Sequence, residues 1–372
     1  MADALKLQFG TDVVRRLARE IQAVHGTFDV VGFERASVQS FDALELLDRG
    51  RHLGRTLHQF LPTDFGAAVD VLLATLPERR TPVGGMSSFF YLAHTEFVRQ
   101  FGVPHFEHSM RALHALTQVF TGEFAIRPFI EHHQQATLER LHEWVTDPSE
   151  HVRRLVSEGT RTRLPWAPRL PAFQRDPSPV LALLERLRDD PELYVRRSVA
   201  NNLNDIGKDH PALLVTVARA WMEGATPERR WIVQHALRSS VKRGDAAALA
   251  VLGFGGTARL EVVESAVVPA RPLMGTKVVI TCTLRNPTRT TQRVVVDLRV
   301  HFVKANGGTT AKVFKLANLE LAPRMSVSVR KTVSLADLTT RRHYPGVHRV
   351  ELQMNGVVSP LGSFALRAAP RT

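Results

Sequence analysis

The segment DPSEHVRRLV, residues 147–156, returns as DPELYVRRSV at residues 190–199, an offset of 43 residues, and a weaker echo, TPERRWIVQHAL, begins at Thr226. A period near ~40 residues with two helices per unit is the signature of HEAT-type repeats. In each full copy the Asp-Pro pair starts a helix, and Val152 with Val156, then Val195 with Val199, supply a buried i, i+4 stripe. The copies end differently, in Ser157, Glu158, Gly159 and in Ala200, Asn201, Asn202. Shared residues specify the fold, so the divergent ones are where function is sought.

The helical period extends to both sides of these segments. Val13, Leu17 and Ile21, then Leu44, Leu47, Leu53 and Leu57, then Val69, Leu72, Leu73 and Leu76 recur at spacings of three and four. From Thr257 onward the period changes to two, in RLEVVESAVV, KVVITCTL, QRVVVDLRVHFV, SVSVRKTV and HRVELQM, with Asn-Pro, Asn-Gly-Gly and Pro-Gly turns between them. Six or seven strands in ~115 residues predict a β-sandwich of immunoglobulin type. The expected architecture is two domains, an all-α HEAT-like solenoid over 1–254 and an all-β immunoglobulin-like sandwich over 257–372, with GFGG at 253–256 as linker. A chain of 372 residues exceeds the ~250–300 at which single cores stop growing.

Charge is unevenly spread. Residues 257–372 hold 18 Lys and Arg against 6 Asp and Glu, whereas the preceding 256 hold 31 against 30. A basic field confined to one domain is an electrostatic footprint for a polyanion. Cys282 is the sole cysteine, so the chain alone can build neither an internal disulfide nor a Cys-rich zinc site. With no apolar run long enough to span a bilayer and no leader in residues 1–10, a cytoplasmic protein without a membrane partner is expected.

In the second copy Arg197, Asn201 and Asp205 lie at i, i+4, i+8 on a face away from the apolar stripe Val195, Val199, Leu203, Ile206, flanked by Asn202 and Asn204. The first copy has Arg154 and Glu158 in that column, and Gly159 is predicted to end the helix in a left-handed cap. A carboxylate in a last helical turn opposes the macrodipole by ~0.3 to 1 kcal/mol. An ordinary surface pair between Arg154 and Glu158 would return at most ~0.5 kcal/mol. The loop that follows, GTRTRLPWAPRLPAFQRDPSP, places Trp166 on a proline-stiffened segment among Arg161, Arg163, Arg169 and Arg175. Such a loop can stack a base and grip phosphates; alternatively Trp166 plugs the seam between repeats.

EFAIRPFI at 123–130, SEGTRTRLPWAPRLP at 157–171 and RRSVANNLNDIGKDHP at 196–211 resemble, in this order, the AlkC branch of bacterial DNA alkylation repair glycosylases of the AlkC/AlkD superfamily. The resemblance covers most of the helical region, and an immunoglobulin-like C-terminal domain is known in some members. It implies a solenoid that cradles duplex DNA and, as a monofunctional glycosylase in base excision repair, excises N3-methyladenine and in some members N3-methylcytosine. It further implies active-site carboxylates at Glu123, Glu158 and Asp205, with Arg161 and Trp166 beside them.

The residue types suit that reaction. An N3-methylated base is already cationic and needs little help to leave, so the enzyme must stabilise oxocarbenium character on the sugar and orient the attacking water. Glu158 is the expected base, with Asp205 and Glu123 sharing the site and neutral Asn201 and Asn202 adding no charge. Trp166 offers a π face to the cation, worth ~0.5 to 2 kcal/mol. Arg154, Arg161, Arg163, Arg169 and Arg197, with Asn201 and Asn202, would contact the substrate DNA, as would Arg341 and Arg342 of TTRRHYPG in a β-domain acting as clamp. No cofactor or metal is called for, and a monomer acting at the nucleoid is expected. HFEH at 105–108 lacks the cysteines of a zinc deaminase, and GFGG follows a helix rather than a strand. The rival class is a non-catalytic scaffold or DNA-binding adaptor, which accounts for repeats and sandwich but not for Glu158 beside Trp166.

Overall fold

In both copies of the repeated segment the aspartate acts before the helix begins. Asp147 Oδ1 accepts the Ser149 amide at 2.8 Å and Asp190 Oδ1 accepts the Glu192 amide at 2.9 Å, two equivalent Asx turns. The first arginine of each copy then donates back to its own Asp-Pro carbonyls: Arg153 Nη1 to Asp147 at 2.8 Å and Pro148 at 3.1 Å, Arg196 Nη1 to Asp190 at 2.8 Å and Pro191 at 2.6 Å. Arg153 Nε also donates to the Asp190 carboxylate at 2.6 Å, which ties one repeat to the next. His114 Nε2 lies 2.7 Å from Asp147 and makes the equivalent tie backward. The duplicated residues are thus the joints of the stack.

The computed structural model describes residues 6, 7, 9–77, 85–338 and 341–368. Most of the opening stretch read for a leader, and Thr339 and Thr340 of the arginine loop, lie outside the described residues. The α-helices are α1 (Thr11–Val24), α2 (Val30–Val38), α3 (Leu46–Phe60), α4 (Phe65–Ala74), α5 (Leu92–Phe101), α6 (Phe106–Thr117), α7 (Arg127–His132) and α8 (Gln134–Trp144). They continue with α9 (Glu150–Gly159), α10 (Pro171–Arg175), α11 (Ser178–Leu187), α12 (Leu193–Asp209), α13 (Pro211–Met222), α14 (Pro227–Arg243) and α15 (Ala246–Val251). Two compact units result, Met1–Asp209 with Pro227–His235, and His210–Thr226 with Ala236–Thr372.

In the first unit the predicted stripes are the core. Val152, Leu155 and Val156 of α9 and Val195, Val199, Leu203 and Ile206 of α12 are buried, each contributing ~1.5 to 3 kcal/mol by leaving water. Leu44 precedes α3, and Leu76 follows α4, so those two leucines belong to turns. The left-handed cap expected at Gly159 is absent. Gly159 stands inside the last turn of α9 and the cap residue, Thr160, is right-handed at φ −87°. Glycine is required for another reason: a Cβ there would sit 2.5 Å from Ile126 Cγ2.

The second unit contains seven antiparallel strands: β1 (Glu261–Val268), β2 (Lys277–Arg285), β3 (Gln292–Val303), β4 (Thr309–Leu321), β5 (Ser326–Ser334), β6 (Gly346–Met354) and β7 (Val357–Leu366). They form two sheets, ordered β1-β2-β5 and β4-β3-β6-β7, the immunoglobulin-like sandwich that the period of two predicts. Val278, Ile280, Cys282 and Leu284 of β2 point into one core with Val294, Val296, Leu298 and Val300 of β3. Burial pushes the Cys282 thiol up to about 11, which leaves it inert. GFGG is not a slack linker. Gly253, at φ +80°, closes α15 with a Schellman pair, Phe254 N–H to Leu249 O at 2.9 Å and Gly253 N–H to Ala250 O at 3.0 Å, and Arg293 lies 5.3 Å over the Phe254 ring. Among the described residues no helix is long and apolar enough to cross a membrane.

One buried group makes the fold sensitive to acid. His94 of α5 has no exposed surface, and burial pushes its imidazole down to about 3. Between that value and its ordinary value near 6.5 the unfolded chain binds the proton that the folded chain refuses, so stability is complete above 6.5 and falls as pH drops. This group alone lowers unfolding free energy by about 2 kcal/mol between pH 7 and pH 5. Urea unfolding at pH 7, 6 and 5 should show that slope in the wild type and a flatter one in His94→Gln; parallel slopes would contradict it.

Candidate active site

Three carboxylates from different parts of the helical unit meet in one chain of ion pairs. Arg161, just past the end of α9, is its centre. Its Nη1 donates to Glu158 Oε1 at 2.7 Å, while Nε donates to Asp205 Oδ2 at 2.8 Å and Nη2 stands 2.7 Å from the same oxygen. Asp205 Oδ1 accepts Lys208 Nζ at 2.8 Å. On the other flank Arg154 Nη1 donates to Glu123 Oε2 at 2.9 Å and Nη2 stands 3.6 Å from Glu158 Oε1. The order is Glu123, Arg154, Glu158, Arg161, Asp205, Lys208, with charges alternating. Burial works to lower the pKa of Arg154 and Arg161, but the attraction of the neighbouring carboxylates outweighs it and holds both guanidinium groups above their ordinary value.

Accessibility grades along this chain: the side chains of Glu123, Glu158 and Asp205 are 13%, 7% and 2% exposed. Asp205, saturated by Arg161 and Lys208, acts on its surroundings through Arg161. Glu158 is aimed by Ser198, whose Oγ donates to Oε2 at 2.6 Å. Glu123 Oε2 also accepts Thr121 Oγ1 at 2.7 Å. Among the described residues no His, Cys, Asp and Glu group could hold a metal ion.

Trp166 is not a seam plug. It is 66% exposed and sits at φ +65°, a left-handed conformation that bulky residues avoid. Leu164, Pro165, Trp166 and Ala167 make a tight turn closed by the Ala167 amide to Leu164 O at 3.3 Å. Proline at the second position and a positive φ at the third are the pattern of a type II turn, whose third residue is normally glycine. Arg127 braces the loop from beneath: Nη1 donates to Gly159 O at 3.0 Å and Arg161 O at 2.9 Å, and Nη2 to Pro168 O at 2.5 Å. Burial, then the like charge of Arg161, pushes this guanidinium down to about 10.

Several residues expected to touch DNA point inward instead. Arg154 and Arg161 are committed to the carboxylates. Arg163 forms a two-pronged pair with Asp209. Asn202 is fully buried, donating to Ser157 O at 2.8 Å and Thr160 Oγ1 at 3.1 Å, so it ties α12 to the end of α9. Arg169 and Arg197 are exposed. Asn201 Oδ1 lies 3.2 Å from His235 Nε2, and that imidazole stacks on Trp231. In the sandwich, Arg341 lies 4.7 Å over the Phe302 ring, and Arg341, Arg342, Lys304 and Lys312 line one recess of about 650 Å³. Sequence reasoning missed Ser198, Arg127 and Tyr194. Ser198 carried a signal, since it occupies the place of apolar Leu155 in the first copy; Arg127 and Tyr194 carried none beyond their motifs.

Comparison with known proteins places this geometry. The family described as DNA alkylation repair enzyme matches residues 104–239, and the one described as "Uncharacterised protein YhaZ, C-terminal Ig-like domain" matches residues 261–368. An uncharacterized protein, YhaZ, of Bacillus subtilis (strain 168) is 36% identical over 359 residues, covering 96% of this chain and 98% of the relative. The solved structure of Pseudomonas fluorescens alkylpurine DNA glycosylase AlkC, bound to DNA containing an abasic site analog, superposes with a TM-score of 0.92 at 37% identity, covering 98% of this chain and 99% of that one.

The turn at Trp166 yields a test that separates function from folding. Trp166→Gly removes an exposed indole and relieves ~1 kcal/mol or more of left-handed strain. Its melting temperature should equal or exceed that of the wild type while excision of methylated bases falls at least tenfold. A melting temperature several degrees lower would mean that the indole is held for packing.

Proposed function

The chain belongs to the DNA alkylation repair enzyme family, and on that premise we propose that it hydrolyses the N-glycosidic bond of cationic N3-methylated bases in duplex DNA. N3-methyladenine is the first substrate and N3-methylcytosine a second, and the enzyme is a monofunctional glycosylase. The observation that carries this reading is the convergence of Glu123, Glu158 and Asp205 on Arg154 and Arg161, at the helix end that leads into the loop of the exposed, strained Trp166.

The chemistry follows from charge. A methylated base carries a positive charge before cleavage; as the C1′–N bond breaks, its electron pair stays on the base, which leaves neutral while the charge moves to the sugar. Glu158, aimed by Ser198, faces that developing oxocarbenium ion and takes the proton of the water whose oxygen bonds to C1′. Glu123, the most accessible of the three, faces the cationic base. Asp205 is a positioning carboxylate: it holds Arg161, and Arg161 holds Glu158. Trp166 presents its π face to the cation, an attraction that a neutral, undamaged base does not gain equally. Arg169 and Arg197 are exposed cations that remain available for phosphates on the helical unit. The basic recess of the sandwich, with Arg341 and Arg342, supplies a second DNA-binding surface.

Two outcomes test this. Glu158→Gln keeps the shape, with its amide oxygen still accepting from Arg161 and its amide nitrogen donating to Ser198 Oγ, so binding to methylated duplex persists. Single-turnover release of N3-methyladenine, read by chromatography of freed bases, falls ~10²- to 10⁴-fold; an undiminished rate would remove Glu158 from the chemistry. Arg341→Ala with Arg342→Ala weakens duplex binding and lowers the slope of log affinity against log salt by up to about 1.8. An unaltered slope would show that those arginines do not meet phosphate.

A further inference from the structure

Beside the Glu123 end of the ion-pair chain lies a recess of about 220 Å³. Phe89 and Phe120, ring centroids 5.3 Å apart, line it together with Tyr194 and His151, which meet edge to face at 5.6 Å. The Arg154 guanidinium lies 4.8 Å over the Tyr194 ring. Thr121 and Arg154, both in the wall, are the two donors to Glu123 Oε2. The recess therefore adjoins the carboxylates without containing them. Thr117, only 5% exposed, also lines it, and its Oγ1 has no hydrogen-bond partner among the described residues. That oxygen is itself sealed from solvent against Gly122, so it lies within the wall, and the surface offered to a ligand is chiefly aromatic.

Size and chemistry point to a planar heterocycle. A cavity of ~150 Å³ is enough to hold benzene, so this one has room for two fused rings. Three aromatic walls favour stacking, and the guanidinium stacked on Tyr194 extends the flat surface. Charge decides which heterocycle. A cationic base is repelled by Arg154 and drawn to Glu123 and Glu158. Once the glycosidic electron pair has returned to the ring, the base is neutral and loses its hold on the carboxylates, while stacking remains. Burial holds the His151 imidazole below its ordinary value, so near neutral pH it opposes no uncharged ligand.

We infer that this recess receives the excised base: a neutral N-methylated purine, stacked among Phe89, Phe120 and Tyr194. The inference rests on the glycosylase reading for the identity of its ligand, but its test needs no catalysis. The intact protein, without DNA, is titrated calorimetrically with free 3-methyladenine. Saturable binding is expected, weakened about fivefold by Phe120→Leu, which replaces one aromatic face at similar volume. Phe89→Ala, which removes a wall, is expected to weaken it further. The same free base should inhibit multiple-turnover excision in the wild type more than in either variant. No saturable binding at millimolar base, or equal affinity in all three proteins, overturns the recess as the product site. Base release from methylated duplex is measured on the same preparations; a wild type that releases none overturns the glycosylase reading itself, whatever the titration gives.

Discussion

Arg161 is the residue on which the arrangement turns. It follows one repeat helix, reaches a carboxylate of that helix with one nitrogen and a carboxylate of the next with two, and both anions are nearly out of water. A buried pair contributes little net stability over an apolar alternative, but deleting one partner strands the other at ~3 to 5 kcal/mol. Here one deletion would strand two. The stacking of repeats and the assembly of the acids are therefore one event. The alternating order of charges also makes this row of six side chains electrically neutral, and Glu123 is the most accessible of its three acids. A site of this kind has no strong field for ordinary DNA to pull on.

The tryptophan loop obeys the opposite economy. An exposed aromatic ring in a left-handed conformation has neither burial nor backbone preference in its favour. It is held by Pro165 before it and by Arg127 beneath it, a buried cation with three carbonyl bonds. Strain localised at a site and supported from underneath is what pre-organisation requires.

Much of this was legible in the residues themselves. Periodicity gave two architectures and the place where they change, because a stripe every 3.6 residues and an alternation every two are properties of the chain, read without neighbours. Duplication revealed the stack, and the Asp-Pro-x-x-x-Val-Arg pattern proved to be the joint. The arginines were harder. Arg153 and Arg154 are adjacent and chemically identical, yet one ties repeats and the other feeds the acid chain; Arg163 looked like a phosphate grip and closes on Asp209. Which carboxylate an arginine meets is decided by residues ~30 to 46 positions away, and spacing does not encode that. Asn202 misled for the same reason: expected at the site as a neutral amide, it is covered by the end of the preceding repeat helix.

Gly159 shows how a missing atom sets a dimension. Ile126 comes so near its Cα that no methyl group fits between them. Ile126 follows Glu123 by three residues, and Glu158 directly precedes Gly159, so this contact fixes how near the first two acids stand to each other. An alanine there would act as a wedge, spreading the pair that Arg154 spans while leaving each helix intact. Acid separation is thus gauged by a vacancy as well as by the Arg154 bridge, and it can be retuned in steps as small as one carbon.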